Sequence, residues 1–176
     1  MSGLPKAPGG YPFGMIPVGQ KKRRVFFSFH YQRDSWSVSQ VRNSWLANPH
    51  HASQPFHDYA AWEQIKKRGE GAVKRWIDDQ LVGSSVTVVL IGPETLGRRW
   101  VKYEIDESLR LKKGLLGVTL EGMRQRNGMP DTWTHYTAYG PFIRGQQTHP
   151  VYSWNNDNGR ANLATWIEQA ARKIGR

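Results

Sequence analysis

Residues Val86 to Ile105 read VTVVLIGPETLGRRWVKYEI, and the change of pattern inside this stretch decides the fold. From Val86 to Ile91 the side chains are apolar or β-branched without interruption, as in a strand covered on both faces. Gly92-Pro93 ends the run. Val101, Ile105, Ser108 and Leu109 then recur on one helical face until Gly114. A buried strand that turns directly into an amphipathic helix is the repeating unit of a parallel α/β sheet.

The same unit recurs on either side. Val25-Phe26-Phe27-Ser28-Phe29 is a short, nearly continuous apolar run and predicts the first strand. Val38, Val41, Trp45 and Leu46 follow at helical spacing, with Asp34 or Ser35 placed to supply the cap oxygen. Residues 47 to 60, with Asn48-Pro49, Pro55 and three His, read as a long loop. A second helix carries Ala72, Val73, Trp76, Ile77 and Leu81, with Gly83 as its left-handed stop. Leu115 to Leu120 predicts a third buried strand, and Pro150 to Trp154 a short final one. Leu163, Trp166, Ile167, Ala170 and Ile174 make a closing helix. Residues 122 to 148 have no consistent period and read as an irregular excursion over one end of the sheet. The expected product is an α/β three-layer sandwich with a mainly parallel sheet, flavodoxin-like in outline, its crossovers right-handed. No internal repeat is present.

The chain has 176 residues, which fits one domain. Residues 1 to 20 hold five Gly and four Pro and no periodic pattern, so residues 1 to 23 are expected to be a flexible basic tail and 24 to 176 the folded domain. There is no cysteine; that excludes disulfide frameworks, thiolate metal sites and cysteine nucleophiles together. No apolar run approaches the roughly 18 to 20 residues that span a bilayer, and the start lacks a signal-peptide core. The expectation is a soluble cytoplasmic protein with no membrane association.

Lys and Arg outnumber Asp and Glu by 25 to 14, a formal charge of +11, which invites a nucleic-acid reading. Apart from Lys21 to Arg24, however, the bases interleave with acids, as in Lys102, Glu104, Asp106, Glu107 and Arg110. No specific nucleic-acid surface is expected, and anionic small molecules or acidic partners suit the charge equally.

Several chemistries are excluded by their missing motifs. No phosphate loop for nucleoside triphosphates, no dinucleotide fingerprint after the first strand and no nucleophile elbow is found. A response-regulator receiver needs acids at strand ends that here read Phe29-His30 and Ile91-Gly92. A flavodoxin-like mononucleotide binder needs a Ser/Thr-rich loop after strand one, which is missing. His50, His51, His57 and Asp58 match no ligand spacing, so no metal site is expected.

In an open α/β sheet, ligands sit beyond the carboxyl ends of the strands. Trp100 and Glu104, four apart, share a helical face near that mouth. On geometry alone two readings stand: Trp100 in the core with Glu104 a surface charge paired with Arg99 or Lys102, or both in a pocket.

Four segments together resemble the TIR-like domains of bacterial Thoeris antiphage systems: Arg24 to Tyr31 (RVFFSFHY), Trp76-Ile77, Val88 to Gly92 (VVLIG) and Arg99 to Ile105 (RWVKYEI). The resemblance spans roughly residues 24 to 120. Phe26-Phe27-Ser28-Phe29 matches the Phe-x-Ser-Tyr/Phe end of the first strand. Trp100 and Glu104 match the Ser-x-Trp-x-x-x-Glu segment that supplies the catalytic glutamate, with Arg98 standing where that pattern has Ser.

The resemblance implies an enzyme that cleaves the nicotinamide–ribose bond of NAD+, giving ADP-ribose or a cyclic ADP-ribose signal in antiphage defence. NAD+ is then substrate and no cofactor is implied. Glu104 is the implied catalytic carboxylate. Phe29, His30 and Tyr31 at the strand-one mouth are placed to stack on nicotinamide or adenine, against aromatic packing under the loop as the other reading of Phe29. Asp34 is either a site residue or a helix cap. Trp100 and Tyr103 are candidate substrate contacts, and Trp62 lines the pocket or packs in the core. Implied partners are a second copy of the chain, a phage-derived trigger protein and a downstream effector that senses the nucleotide. The alternative is a TIR-like interaction module without turnover.

Overall fold

The computed structural model describes residues 23–47, 59–131, 138–139, 141–144 and 149–176. Residues 1–22 of the expected tail and the loop histidines His50, His51 and His57 with Asp58 lie outside the described residues. The chain runs β1 (Val25–Phe29), α1 (Tyr31–Leu46), α2 (Tyr59–Lys66), α3 (Glu70–Leu81), β2 (Val86–Ile91), α4 (Arg99–Arg110), β3 (Gly114–Thr119), β4 (Ala138–Tyr139), β5 (Phe142–Arg144), β6 (Pro150–Ser153) and α5 (Gly159–Lys173).

The strands form one sheet in the order β1-β2-β3-β6-β5-β4, parallel throughout except for the β4–β5 pair. Every side chain of β1, β2 and β3 is buried, as the uninterrupted apolar runs require. Val88 and Leu90 face a core shared with α1 and α5, through Val41, Trp45, Leu163 and Ile167. Val89 and Ile91 face the other way, against Val101 and Ile105 of α4. Helices therefore cover both faces, and the three-layer α/β sandwich stands.

Five sequence expectations change in detail. The third strand lies one residue earlier than expected, at Gly114–Thr119, and the last stops at Ser153. The region 122 to 148 is no mere excursion: β4 and β5 extend the sheet edge, and Phe142 is wholly buried against Val151 and Leu115. Two- and three-residue strands are too short to show a period of two. Helix α2 begins at Tyr59, inside the expected loop, and its single described buried side chain, Trp62, leaves little helical stripe to read. Helix α1 starts at Tyr31, straight out of β1, with His30 at its cap position and no side-chain cap. Neither Asp34 nor Ser35 caps it, because Asp34 lies inside the first turn and its amide donates to His30 O at 3.0 Å.

Gly83 ends α3 as expected, with φ +78°. Arg23, read as the end of the tail, is tied to the domain: Nε and Nη2 donate to the Glu168 carboxylate at 2.9 and 3.0 Å, and Nη2 to Arg176 O at 2.8 Å. Among the described residues no helix is long and apolar enough to cross a membrane.

Candidate active site

Three structural elements enclose a pocket of about 250 Å³ at the carboxyl end of β1. The β1–α1 junction supplies Phe29, His30 and Tyr31; α2 supplies Trp62, Glu63 and Lys66; the start of α4 supplies Arg99, Trp100 and Glu104, with Arg98 just before it. The location follows from the topology. A strand that feeds a helix without a linker leaves its last side chains and the first helical turn at the sheet mouth.

Glu104 is 2% exposed. It lies on the sheet-facing side of α4 with Val101, Ile105 and Ser108, all buried. Its carboxyl accepts a hydrogen bond from the Ser28 hydroxyl of β1, itself buried. One helical turn further, Ser108 Oγ and Thr87 Oγ1 of β2 are 2.8 Å apart, and Ser108 donates to Glu104 O at 2.6 Å. These pairs form a polar seam between α4 and an otherwise apolar sheet. Burial pushes the Glu104 carboxyl up to about 8, while the Ser28 bond pulls it down. That shift favours the protonated acid at neutral pH, and a cation beside it favours ionisation.

Aromatic rings form the opposite wall. Tyr31 and Trp62 stack with centroids 4.9 Å apart and planes at 7°, and Phe29 packs against Tyr31 at 4.2 Å. The Tyr31 phenol is raised well above its ordinary range, by burial first and by the Glu104 charge second. Trp62 thus packs in the core and lines the pocket at once. Trp100 is half-buried, with the Arg99 guanidinium 5.0 Å above its ring. His30 Nδ1 is buried with no partner among the described residues, and burial, followed by the charge of Arg98, lowers its pKa.

The structure brings Glu104, Phe29, His30, Tyr31 and Trp100 together around this cavity. Asp34 and Tyr103 do not line it. Tyr103 turns to α3, where its hydroxyl donates to Asp78 Oδ1 at 2.6 Å, and only its ring edge meets Trp100. Asp34 is 4% exposed beneath the β2–α4 turn and accepts from Thr95 Oγ1 at 2.7 Å. Gly92 leaves room for it: a Cβ there would lie 2.4 Å from Asp34 Oδ1. Burial lifts Asp34 to about 6, opposed by the Thr95 bond and the Arg33 charge.

Sequence reading did not assign Ser28, Glu63 or Lys66 to the site. Ser28 carried a signal, as the lone hydroxyl in the apolar run of β1. The rim is basic but tethered: Arg98 pairs with Glu94, Arg99 with Glu70, and Lys66 with Glu63 at 3.0 Å. Among the described residues no cluster of His, Asp or Glu fit to hold a metal is present. A carboxyl sunk among aromatic rings, with bases outside, suits a ligand that is cationic at one end and anionic at the other.

Residues 26–125 contain every lining residue of the pocket and match the family model described as Thoeris protein ThsB, TIR-like domain. Over 138 residues the chain is 36% identical to a Bacillus cereus (strain MSX-D12) protein named "Putative cyclic ADP-D-ribose synthase ThsB1", an alignment that takes in 75% of this chain and 71% of that protein. With more than half of its length under the family model and the buried carboxyl inside the matched region, this chain belongs to the Thoeris ThsB TIR-like family.

Proposed function

We propose that the protein is an NAD+-cleaving enzyme that releases nicotinamide and closes the remaining ADP-ribose into a cyclic signal, with Glu104 as its catalytic carboxylate. The observation that carries the reading is the buried Glu104 carboxyl facing a pocket walled by Tyr31, Trp62 and Trp100. The name of the Bacillus cereus relative supports the product class.

The chemistry follows from the groups present. Nicotinamide leaves from its pyridinium form as a neutral molecule, so no proton donor to the leaving group is required. What the site must stabilise is positive charge growing on the ribose C1′. Glu104, ionised by the cationic substrate beside it, faces that charge. Phe29, Tyr31 and Trp62 offer flat apolar surface for nicotinamide or adenine. The basic rim of Lys66, Arg98 and Arg99 lies where the diphosphate emerges. Aromatic walls that exclude water favour attack on C1′ by the substrate's own adenine or ribose over hydrolysis.

In this reading the protein acts in antiphage defence inside the cell: a phage-derived protein triggers it, a second copy associates with it, and an effector reads the nucleotide. The experiment is incubation of pure protein with NAD+, with and without extract of phage-infected cells, followed by chromatography of nicotinamide and nucleotides. Wild type should consume NAD+, and Glu104→Gln should slow it on the order of 100-fold or more. Equal rates remove Glu104 from the role. No consumption under either condition replaces the enzyme by a TIR-like interaction module.

A further inference from the structure

In β1 every side chain is buried and Ser28 alone is polar. A buried hydroxyl persists in a strand core where it has a partner. Phe27 and Phe29 pair with Val88 and Leu90 on the α1–α5 side of the sheet, so Ser28 points to the other side, beneath α4. There it donates to Glu104 Oε2.

The other charged groups around Glu104 are paired elsewhere, and His30 Nδ1 has no partner among the described residues. Tyr31 of α1 is stacked on Trp62, and its phenol is pushed upward. Burial lowers the pKa of His30 at the end of β1. Glu63 and Lys66 of α2 pair with each other, Arg98 and Arg99 with Glu94 and Glu70. On α4 itself Tyr103 is bonded to Asp78 of α3, and from β2 Thr87 meets Ser108. Among the described residues, Ser28 is the donor to the carboxyl.

We propose that Ser28 is a positioning residue of the reaction: its hydroxyl fixes where the Glu104 carboxyl lies and, by donating a hydrogen bond to Oε2, favours the carboxylate over the acid. The proposal rests on the catalytic reading of Glu104. A donated hydrogen bond stabilises the charged form, and in an apolar slot no water replaces it. Without that bond, Glu104 ionises only at higher pH, and the share of enzyme ready to meet a sugar cation shrinks at neutrality. Ser28→Ala removes one oxygen, and Ser28→Cys keeps a weaker donor.

The test follows two readouts in wild type, Ser28→Ala and Ser28→Cys. One is kcat/KM for NAD+ against pH, which reports the free enzyme's ionisations. The other is the 13C NMR titration of glutamate-labelled protein without substrate, with Glu104→Gln identifying the resonance. In Ser28→Ala both midpoints should rise by about one to two pH units, and the rate should recover toward wild type above them. The Cys variant should fall between, and it serves alone if the Ala variant does not fold. An NMR midpoint unmoved by loss of the hydroxyl overturns the proposal, as does a rate deficit equal at every pH. A shifted NMR midpoint in proteins that never consume NAD+ supports the Ser28–Glu104 coupling while removing the enzymatic reading.

Discussion

The Thr95 hydroxyl joins two elements at once: it donates to Asp34 Oδ2 at 2.7 Å and accepts from the Gly92 amide at 2.8 Å. Through it the first turn of α1 holds the loop that carries Arg98 toward the pocket. Asp34 therefore supports the site from below without lining the pocket.

Thr95→Val keeps the shape of this residue and leaves a buried carboxylate and a backbone amide without partners. A loss of about 2–3 kcal/mol is expected, read as a fall of roughly 5–10 °C in melting temperature. The bond favours ionised Asp34, whose carboxyl sits at about 6, so the deficit should widen as pH rises above that value and level off at its smallest below it. Thr95→Ser, which keeps the hydroxyl, should recover most of it.

Glu104 carries a second pH dependence. Its folded-state pKa of about 8 exceeds the ordinary 4.5, so the folded protein holds a proton that the unfolded chain has released between those values. Stability from this group is full below about 4.5 and is lost as pH rises toward 8. Glu104→Gln removes the ionisation. The variant should gain at least about 1 kcal/mol over wild type between pH 5 and pH 8.5, seen as roughly 2–4 °C of relative melting temperature. A constant difference across that range would mean that Glu104 is not a buried acid.

Trp100 and Tyr103 separate pocket from support. Tyr103→Phe loses the bond to Asp78 and should cost about 0.5–1.5 kcal/mol while leaving NAD+ consumption within about twofold of wild type. Trp100→Ala removes a pocket wall from a half-buried position. It should lower consumption at least about tenfold and melt within a few degrees of wild type.

The Tyr31–Trp62 stack serves both fold and site. Trp62→Ala opens a cavity beside a buried ring and should cost about 3 kcal/mol or more, together with NAD+ consumption. Tyr31→Phe keeps the stack, and its melting temperature should stay within about 3 °C of wild type.

Much of this was legible in the sequence because the central strands are covered on both faces. Continuous apolar runs mark Val25–Phe29 and Val86–Ile91, whereas the stripe of α4 leaves Glu104 between a surface charge and a pocket carboxyl until its burial and its bond to Ser28 decide. Less legible was whatever depends on contacts between distant segments. That Tyr103 turns toward Asp78 and not toward the ligand is a choice among helical faces that only the packing of α3 settles. Trp62 reaches the pocket because α2 folds back onto Tyr31, and eight residues with one described buried ring carry little periodicity. The two short edge strands beyond β6 draw their pairing from a neighbour, not from a pattern of their own.

The polar seam between α4 and the sheet has a mechanical consequence. Ser28–Glu104 and Thr87–Ser108 lie one helical turn apart, on neighbouring strands. Sliding α4 along the sheet by a single residue would strand all four groups against apolar neighbours, and a slide that restored one bond would need a whole turn, about 5.4 Å. The helix is thereby latched in a single register. On the α2 side of the pocket, by contrast, Trp62 is held by ring contacts with Tyr31 and Trp76, which can slide without breaking a polar pair.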